Sequence, residues 1–286
     1  MPTWRFDAIG TVWEIETPEP VRPELRAGIQ AIIEDFDATW SRFRQDSLVS
    51  HLATAGGSAG APADAAAMFE AYRELSAATE GAVNPLVGEG LSALGYDAGY
   101  SLIVGEPRPA PEDWQSILTW RDGRLSVASA ALIDVGALGK GRLVDLVTAA
   151  LADVGGDVIV DAGGDMTVRG EARIGLEHPF DPTRAIGVAV VRDQALCASA
   201  VNRRAWGDGL HHVLDARTGI PVRTWAATWA IAPDAMRADA VATALFFDGG
   251  PELAERWGVE WIRMSTTGAA QRSTNAPVEL FTTRRA

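Results

Sequence analysis

Cysteine is nearly absent from this chain. Cys197 stands alone, which excludes an intrachain disulfide and an all-cysteine zinc site. Set in the apolar run Gln194-Ala-Leu-Cys-Ala-Ser-Ala, it reads as a small buried hydrophobe. No stretch approaches the ~20 apolar residues of a membrane span. The opening Met1-Pro-Thr-Trp-Arg-Phe-Asp has no basic segment followed by an apolar one. No secretory signal or membrane partner is expected, and the cytoplasm is the expected compartment. Basic residues are scarce as well: 25 Lys and Arg against 38 Asp and Glu give a net charge of -13. That balance argues against a nucleic-acid surface, which needs clustered Lys and Arg to neutralise phosphates. An anionic nucleotide would then need a local countercharge, most economically a metal ion.

What is present suits an ordinary folded protein: 286 residues, 47% apolar and 22% charged, enough to bury a substantial core. Trp4 to Glu16 reads as a strand with a bend at Gly10-Thr11. Arg22 to Phe43 places Leu25, Ile29, Ile32, Ile33, Phe36 and Trp40 on one helical stripe. Ala53 to Ala61 reads as a surface loop, Ala65 to Thr79 as a helix, and the Pro-rich Val104 to Glu112 as a connector. Lys140 to Val154 and Met236 to Phe247 are helical, the latter ending at Gly249-Gly250. Val158 to Val160, Ile186 to Val191, Leu196 to Val201, Trp225 to Ile231 and Trp261 to Ser265 read as strands. Helices and strands without a regular βαβ repeat predict an α+β fold with antiparallel pairing.

Four segments can carry chemistry. Asp134-Val-Gly-Ala-Leu-Gly-Lys-Gly-Arg-Leu-Val-Asp145 places glycines before a lysine at a helix start. Lys140 is followed by Gly141 and Arg142, so the phosphate-loop pattern is not met. A helix N-terminus still favours an anion, although a plain strand–turn–helix junction explains the segment too. Val160-Asp-Ala-Gly-Gly-Asp165 follows a buried strand. Its paired glycines allow close approach of a ligand, or simply a hairpin. His211-His-Val-Leu-Asp-Ala-Arg-Thr-Gly219 holds two of the four histidines. His212 and Asp215 flank a strand end, in a general-base site or a surface hairpin. In Arg237-Ala-Asp-Ala-Val-Ala-Thr-Ala-Leu245, Asp239 and Thr243 project from one helical face. Both are hard oxygen ligands suited to magnesium, or else a helix-flanking carboxylate and a hydroxyl bonded back to a carbonyl.

Taken in order, these segments resemble the ApbE family of FAD:protein FMN transferases, which includes flavin-trafficking proteins with FAD pyrophosphatase activity. The family's glycine–lysine stretch, Gly-Gly-Asp turn, His-to-Gly segment and Ala-Asp-Ala…Thr-Ala-Leu helix are matched at 134–145, 161–165, 212–219 and 238–245. Phe6 to Thr11, Ser41 to Ser47, Gly81 to Gly88 and Ile174 to Pro179 also fit. The resemblance implies one T-fold-like catalytic unit over residues 1–286, with mixed or antiparallel sheets and packed helices. It implies a magnesium ion held by Asp239, Thr243 and the Gly139 carbonyl. His212 and Asp215 are the implied catalytic pair, His212 taking the proton of an acceptor protein's Thr or Ser. FAD, the implied substrate, would contact Phe43, Asn84, Lys140, Asp145, Gly163, Gly164, Asp165, Ser199, Arg217, Thr218 and Gly219. FMN would end in a phosphoester with the acceptor, and AMP would leave.

The chain also departs from the family. Ala198-Ser199-Ala200 replaces a frequent Thr-Ser-Gly, Ala216 a Pro and Asn84 a frequent Asp. Gly139 replaces the Ala before the lysine, Ala53 a frequent Asn and Leu48 a frequent Glu. Two other readings therefore stand beside transfer to a protein: hydrolysis of FAD to FMN and AMP, and a flavin-binding carrier without turnover.

Overall fold

The alternation of Trp4 to Glu16 resolves into a hairpin rather than one bent strand. In the computed structural model, which describes residues 1–281, strands Thr3–Ala8 and Thr11–Glu16 pair antiparallel across Ile9-Gly10. Both turn residues have positive φ (45° and 73°), as a two-residue hairpin turn matched to strand twist requires. Residues 282–286, the end of the unit read from the sequence, lie outside that description.

The hairpin is one edge of a nine-stranded sheet that continues through Val158–Asp161, Asp165–His178, Asp181–Ala200, Trp225–Ala232, Glu260–Ser265 and Ala270–Arg272. The strand Val278–Leu280 adds to Asp181–Ala200. Every pairing among the described residues is antiparallel, in an α+β fold. The two short strands expected at 186–191 and 196–201 are one long strand. It continues because Asp193 (φ 47°) and Gly170 (φ 98°) meet at a bulge, where the Gly170 N–H donates to Asp193 Oδ1 at 2.8 Å.

Side chains alternate across this sheet and feed two cores. Ala195, Cys197, Ala230 and Ala232 join the helical core, while Leu196, Trp229 and Ile231 pack with Met166, Ile262 and Met264 on the other face. Cys197 is fully buried, as its apolar setting suggests. Of the stripe on helix Pro23–Trp40, Ile29, Ile33, Phe36 and Trp40 are buried, whereas Leu25 and Ile32 only flank the core. The loop expected at 53–61 instead ends the helix Leu48–Ala55 and contains the strand Gly57–Gly60. Ser47 caps that helix, accepting from the Ser50 N–H at 3.1 Å, and the small-residue strand is held by backbone pairing with Arg124–Val127. Gly249-Gly250 does not close the helical region: Ala235–Ala244 is followed by the helix Gly250–Trp257, with Pro at its start.

Helix Gly139–Ala150 lies between helices Pro23–Trp40 and Ala235–Ala244. No strand leads into it; the preceding residues form a loop. Its contact with Ala235–Ala244 depends on Gly141. A Cβ there would lie 2.1 Å from the Ala235 carbonyl oxygen and 2.7 Å from Asp239 Cβ. Gly141→Ala should therefore lower unfolding stability by about 1–3 kcal/mol, the scale of overpacking. Gly155→Ala, with nothing near its Cβ, should stay within about 0.5 kcal/mol in the same denaturant titration.

Candidate active site

The helix Ala235–Ala244 is capped twice. Asp234 accepts from the Arg237 N–H at 2.8 Å, and Asp145, from the neighbouring helix, accepts from the Ala235 and Met236 N–H groups at 2.7 and 3.0 Å. Asp145 is thus a structural clamp set away from the cavity wall. Burial pushes its carboxyl up to about 6, against the pull of those two N–H groups. The clamp fixes the orientation of Asp239 and Thr243, one helical turn apart.

Asp239 is buried, and its Oδ2 accepts from the Gly141 N–H at 2.9 Å. The anion at the N-terminus of helix Gly139–Ala150 is therefore a carboxylate of the protein itself. Burial, then the negative charge of Asp165, pushes Asp239 up to about 7, while Lys140 and the Gly141 N–H pull it down. Lys140, the only lysine in the chain, pairs with the fully buried Asp165. Burial lowers the lysine, but the charges of Asp165 and Asp239 outweigh it and hold the ammonium above its ordinary range.

These groups border a cavity of about 740 Å³. Its wall brings together Phe43, Asn84, Gly139, Lys140, Gly163, Ser199, His212, Asp239 and Thr243 from the sequence-derived set. Gly163 (φ 71°) reaches the wall beside the Ile9-Gly10 hairpin turn, and a Cβ on it would sit 2.0 Å from Thr11 Oγ1. Asn84 is present, but its amide is used by the fold: Nδ2 donates to the Pro111 carbonyl and Oδ1 accepts from the Leu86 N–H. His212 Nδ1 is buried without a partner. Burial, followed by the charges of Arg204 and Lys140, drives this imidazole down to about 3, so it is neutral at neutral pH.

The rest of that set does not border this cavity. Gly164 (φ 107°) turns the chain behind Gly163, and its N–H donates to Asp161 Oδ1 at 2.8 Å. Asp165 stands behind Lys140. Asp215, Arg217 and Thr218 border a separate cavity of about 460 Å³. There the Asp215 carboxylate accepts from Arg217 Nε and Nη2 at 2.9 and 2.7 Å. Gly219 packs its backbone on Arg108.

The cavity also exposes groups that the motifs did not single out. All three tyrosines, Tyr72, Tyr96 and Tyr100, border it. Tyr72 Oη donates to the Asp134 carbonyl at 3.0 Å and accepts from the Ala137 N–H at 3.3 Å, pinning the loop that leads to Gly139. Phe43 stacks on Tyr100 and Tyr96 on Trp206. Five basic side chains (Arg42, Arg44, Lys140, Arg203, Arg204) border the cavity against three acidic ones (Asp37, Asp134, Asp239). The overall charge balance is inverted here. The arginines come as two pairs far apart in the chain, Arg42 with Arg44 and Arg203 with Arg204, and only the fold brings the pairs together.

Among solved structures, the chain shares its fold with the ApbE protein of Thermotoga maritima (TM-score 0.82, 22% identity, 96% of this chain and 97% of that one). It is also similar to the flavin transferase ApbE of Vibrio cholerae (TM-score 0.76, 20% identity, 96% and 97%). The ApbE family model matches residues 9–262, and the chain belongs to the ApbE family. It is 27% identical over 279 residues to a FAD:protein FMN transferase of Rhodobacter capsulatus, covering 89% of this chain and 53% of that protein. It is 33% identical over 95 residues to a FAD:protein FMN transferase of Klebsiella pneumoniae (strain 342), covering 32% and 30%. The chain thus spans about half the length of the first of these relatives and under a third of the second.

Asp239 binds its proton more tightly in the folded chain than the ~3.9 of an unfolded aspartate. Its ionisation therefore opposes folding increasingly as pH rises from about 4 to about 7. Asp239→Asn in EDTA-containing buffer should raise the melting temperature at pH 8, with a gain that shrinks steadily towards pH 4. A pH-independent difference would reject this assignment.

Proposed function

We propose that the chain is a magnesium-dependent FAD:protein FMN transferase, one catalytic unit that cleaves FAD, joins FMN to a Thr or Ser of an acceptor protein and releases AMP. The observation carrying this reading is a buried carboxylate and a hydroxyl, one helical turn apart, on a cavity wall with an excess of basic side chains. The names of the relatives agree with it.

The residues fit a magnesium ion. Among the described residues, Asp239 Oδ1 and the Thr243 hydroxyl engage in no hydrogen bond, and no three His, Cys, Asp or Glu side chains converge. The chain would then supply few ligands (Asp239, Thr243 and the Gly139 carbonyl), leaving the others to water and phosphate oxygens, as magnesium prefers. Bound there, the ion would neutralise charge on the pyrophosphate and make AMP a better leaving group. Arg204 and Lys140 add fixed positive charge around the same oxygens. His212, neutral and on the wall, takes the proton of the incoming hydroxyl. The negative pyrophosphate raises the basicity of this imidazole just where it is needed. The hydroxyl oxygen bonds to the phosphorus of the FMN half. The bond from that phosphorus to the bridging oxygen breaks, and AMP leaves with the oxygen. Asp215, bound to Arg217, shapes the turn after His212.

Purified protein incubated with FAD and magnesium, with and without a Thr-containing acceptor, should release AMP and yield flavin covalently bound to the acceptor. His212→Ala should slow transfer about 10²–10⁴-fold. Asp239→Ala should abolish the magnesium dependence, and magnesium should raise the melting temperature of wild type more at pH 8 than at pH 6. AMP release that never depends on acceptor would replace transfer by hydrolysis. Tight FAD binding without any AMP release would leave a carrier.

A further inference from the structure

Arg42 is a charged side chain withdrawn from water, only 4% exposed. Its Nε donates to Asp134 Oδ2 at 2.5 Å and its Nη1 to the Tyr96 carbonyl at 2.7 Å. The rings of Phe43 and Tyr96 have their centroids 4.2 and 4.9 Å from the guanidinium carbon. Nη2 alone is buried without a partner. A buried, unpaired donor is a standing cost that folded proteins seldom carry without a use for it. Arg42 borders the cavity, so this donor lies beside the space that a substrate would fill.

Charge decides which kind of acceptor suits it. Asp134 already neutralises Arg42, and its carboxylate would repel a phosphate brought to the same guanidinium. Arg204, on the same cavity, bonds the Tyr96 hydroxyl at 2.6 Å and has no carboxylate partner among the described residues. Arg204 therefore serves the phosphates better, and Arg42 suits a neutral acceptor. Tyr100, stacked on Phe43 and half exposed, offers a face on which a flat ring can stack.

We infer that Arg42 Nη2 donates to a neutral acceptor, a ring carbonyl or ring nitrogen, on the edge of one of the two heterocycles of FAD. Arg42 is then a specificity determinant for the ring, separate from the groups that act on the pyrophosphate. The inference rests on FAD as the substrate. Its test uses binding without magnesium or turnover, so it can fail independently of AMP release.

FMN, AMP and inorganic pyrophosphate are titrated separately, in EDTA, into wild type and R42K. Lysine keeps the charge beside Asp134 but cannot reach three acceptors in one plane. R42K should lose about 10–100-fold in affinity for one nucleotide, the worth of one hydrogen bond to a charged donor, and nothing for pyrophosphate. Loss confined to FMN assigns the contact to isoalloxazine, and loss confined to AMP assigns it to adenine; either supports the inference. No loss, equal loss for both nucleotides, or loss for pyrophosphate overturns it. If near-UV circular dichroism shows that R42K does not fold, wild type is titrated with 2-thio- and 4-thio-FMN and with 1-, 3- and 7-deaza-AMP. Weaker binding of at least one analogue supports the contact, and unchanged binding of all of them overturns it.

Discussion

The close approach of two helices at Gly141 is the constraint on which the site depends. The absent side chain lets the Ala235 carbonyl and Asp239 Cβ come within reach of the Gly141 backbone, and the Gly141 N–H then holds the Asp239 carboxylate. Asp145 locks the same pair of helices from the other side, through the first N–H groups of Ala235–Ala244. One helix thus positions Lys140 and Gly139 while steering the side chains that the other presents. Widening this contact would move all of them together.

Around it, the molecule concentrates polar groups that a purely stable protein would avoid. A buried carboxylate is held well above its ordinary range, an imidazole is kept neutral, and Arg42 and His212 each retain an unpaired nitrogen. Each of these opposes folding. The surplus comes from elsewhere, notably the dry faces of Trp225–Ala232, where all eight residues are buried.

Much of this was legible in the sequence. The helical stripe ending at Trp40, the helix carrying Asp239 and Thr243, and the strand Trp225–Ala232 follow from periodicity. The resemblance of four ordered segments pointed to residues that now share one wall. Three things were hidden. Asp145 and Asp165 lie within matched segments, yet their carboxylates face other parts of the protein, because a motif records neighbourhood in the chain and not direction in space. Asp215 and Arg217 satisfy each other. The aromatic and basic lining, Arg42, Tyr72, Tyr96, Tyr100 and Arg204, comes from segments without common spacing, and only the fold brings them together.

The antiparallel sheet also sets the order in which the protein can be made. The edge hairpin finds its neighbour only when Ile15 meets Val160, past the middle of the sequence, and no local contact can stand in for that pairing. While the ribosome works through the intervening residues, Trp13 and Ile15, fully buried in the finished fold, still lack the sheet neighbour beside them. The cavity closes later still, since its wall draws on both Thr11 and Thr243. A nascent chain therefore has no half-built pocket, and the cavity appears only once the segment through Thr243 has been made.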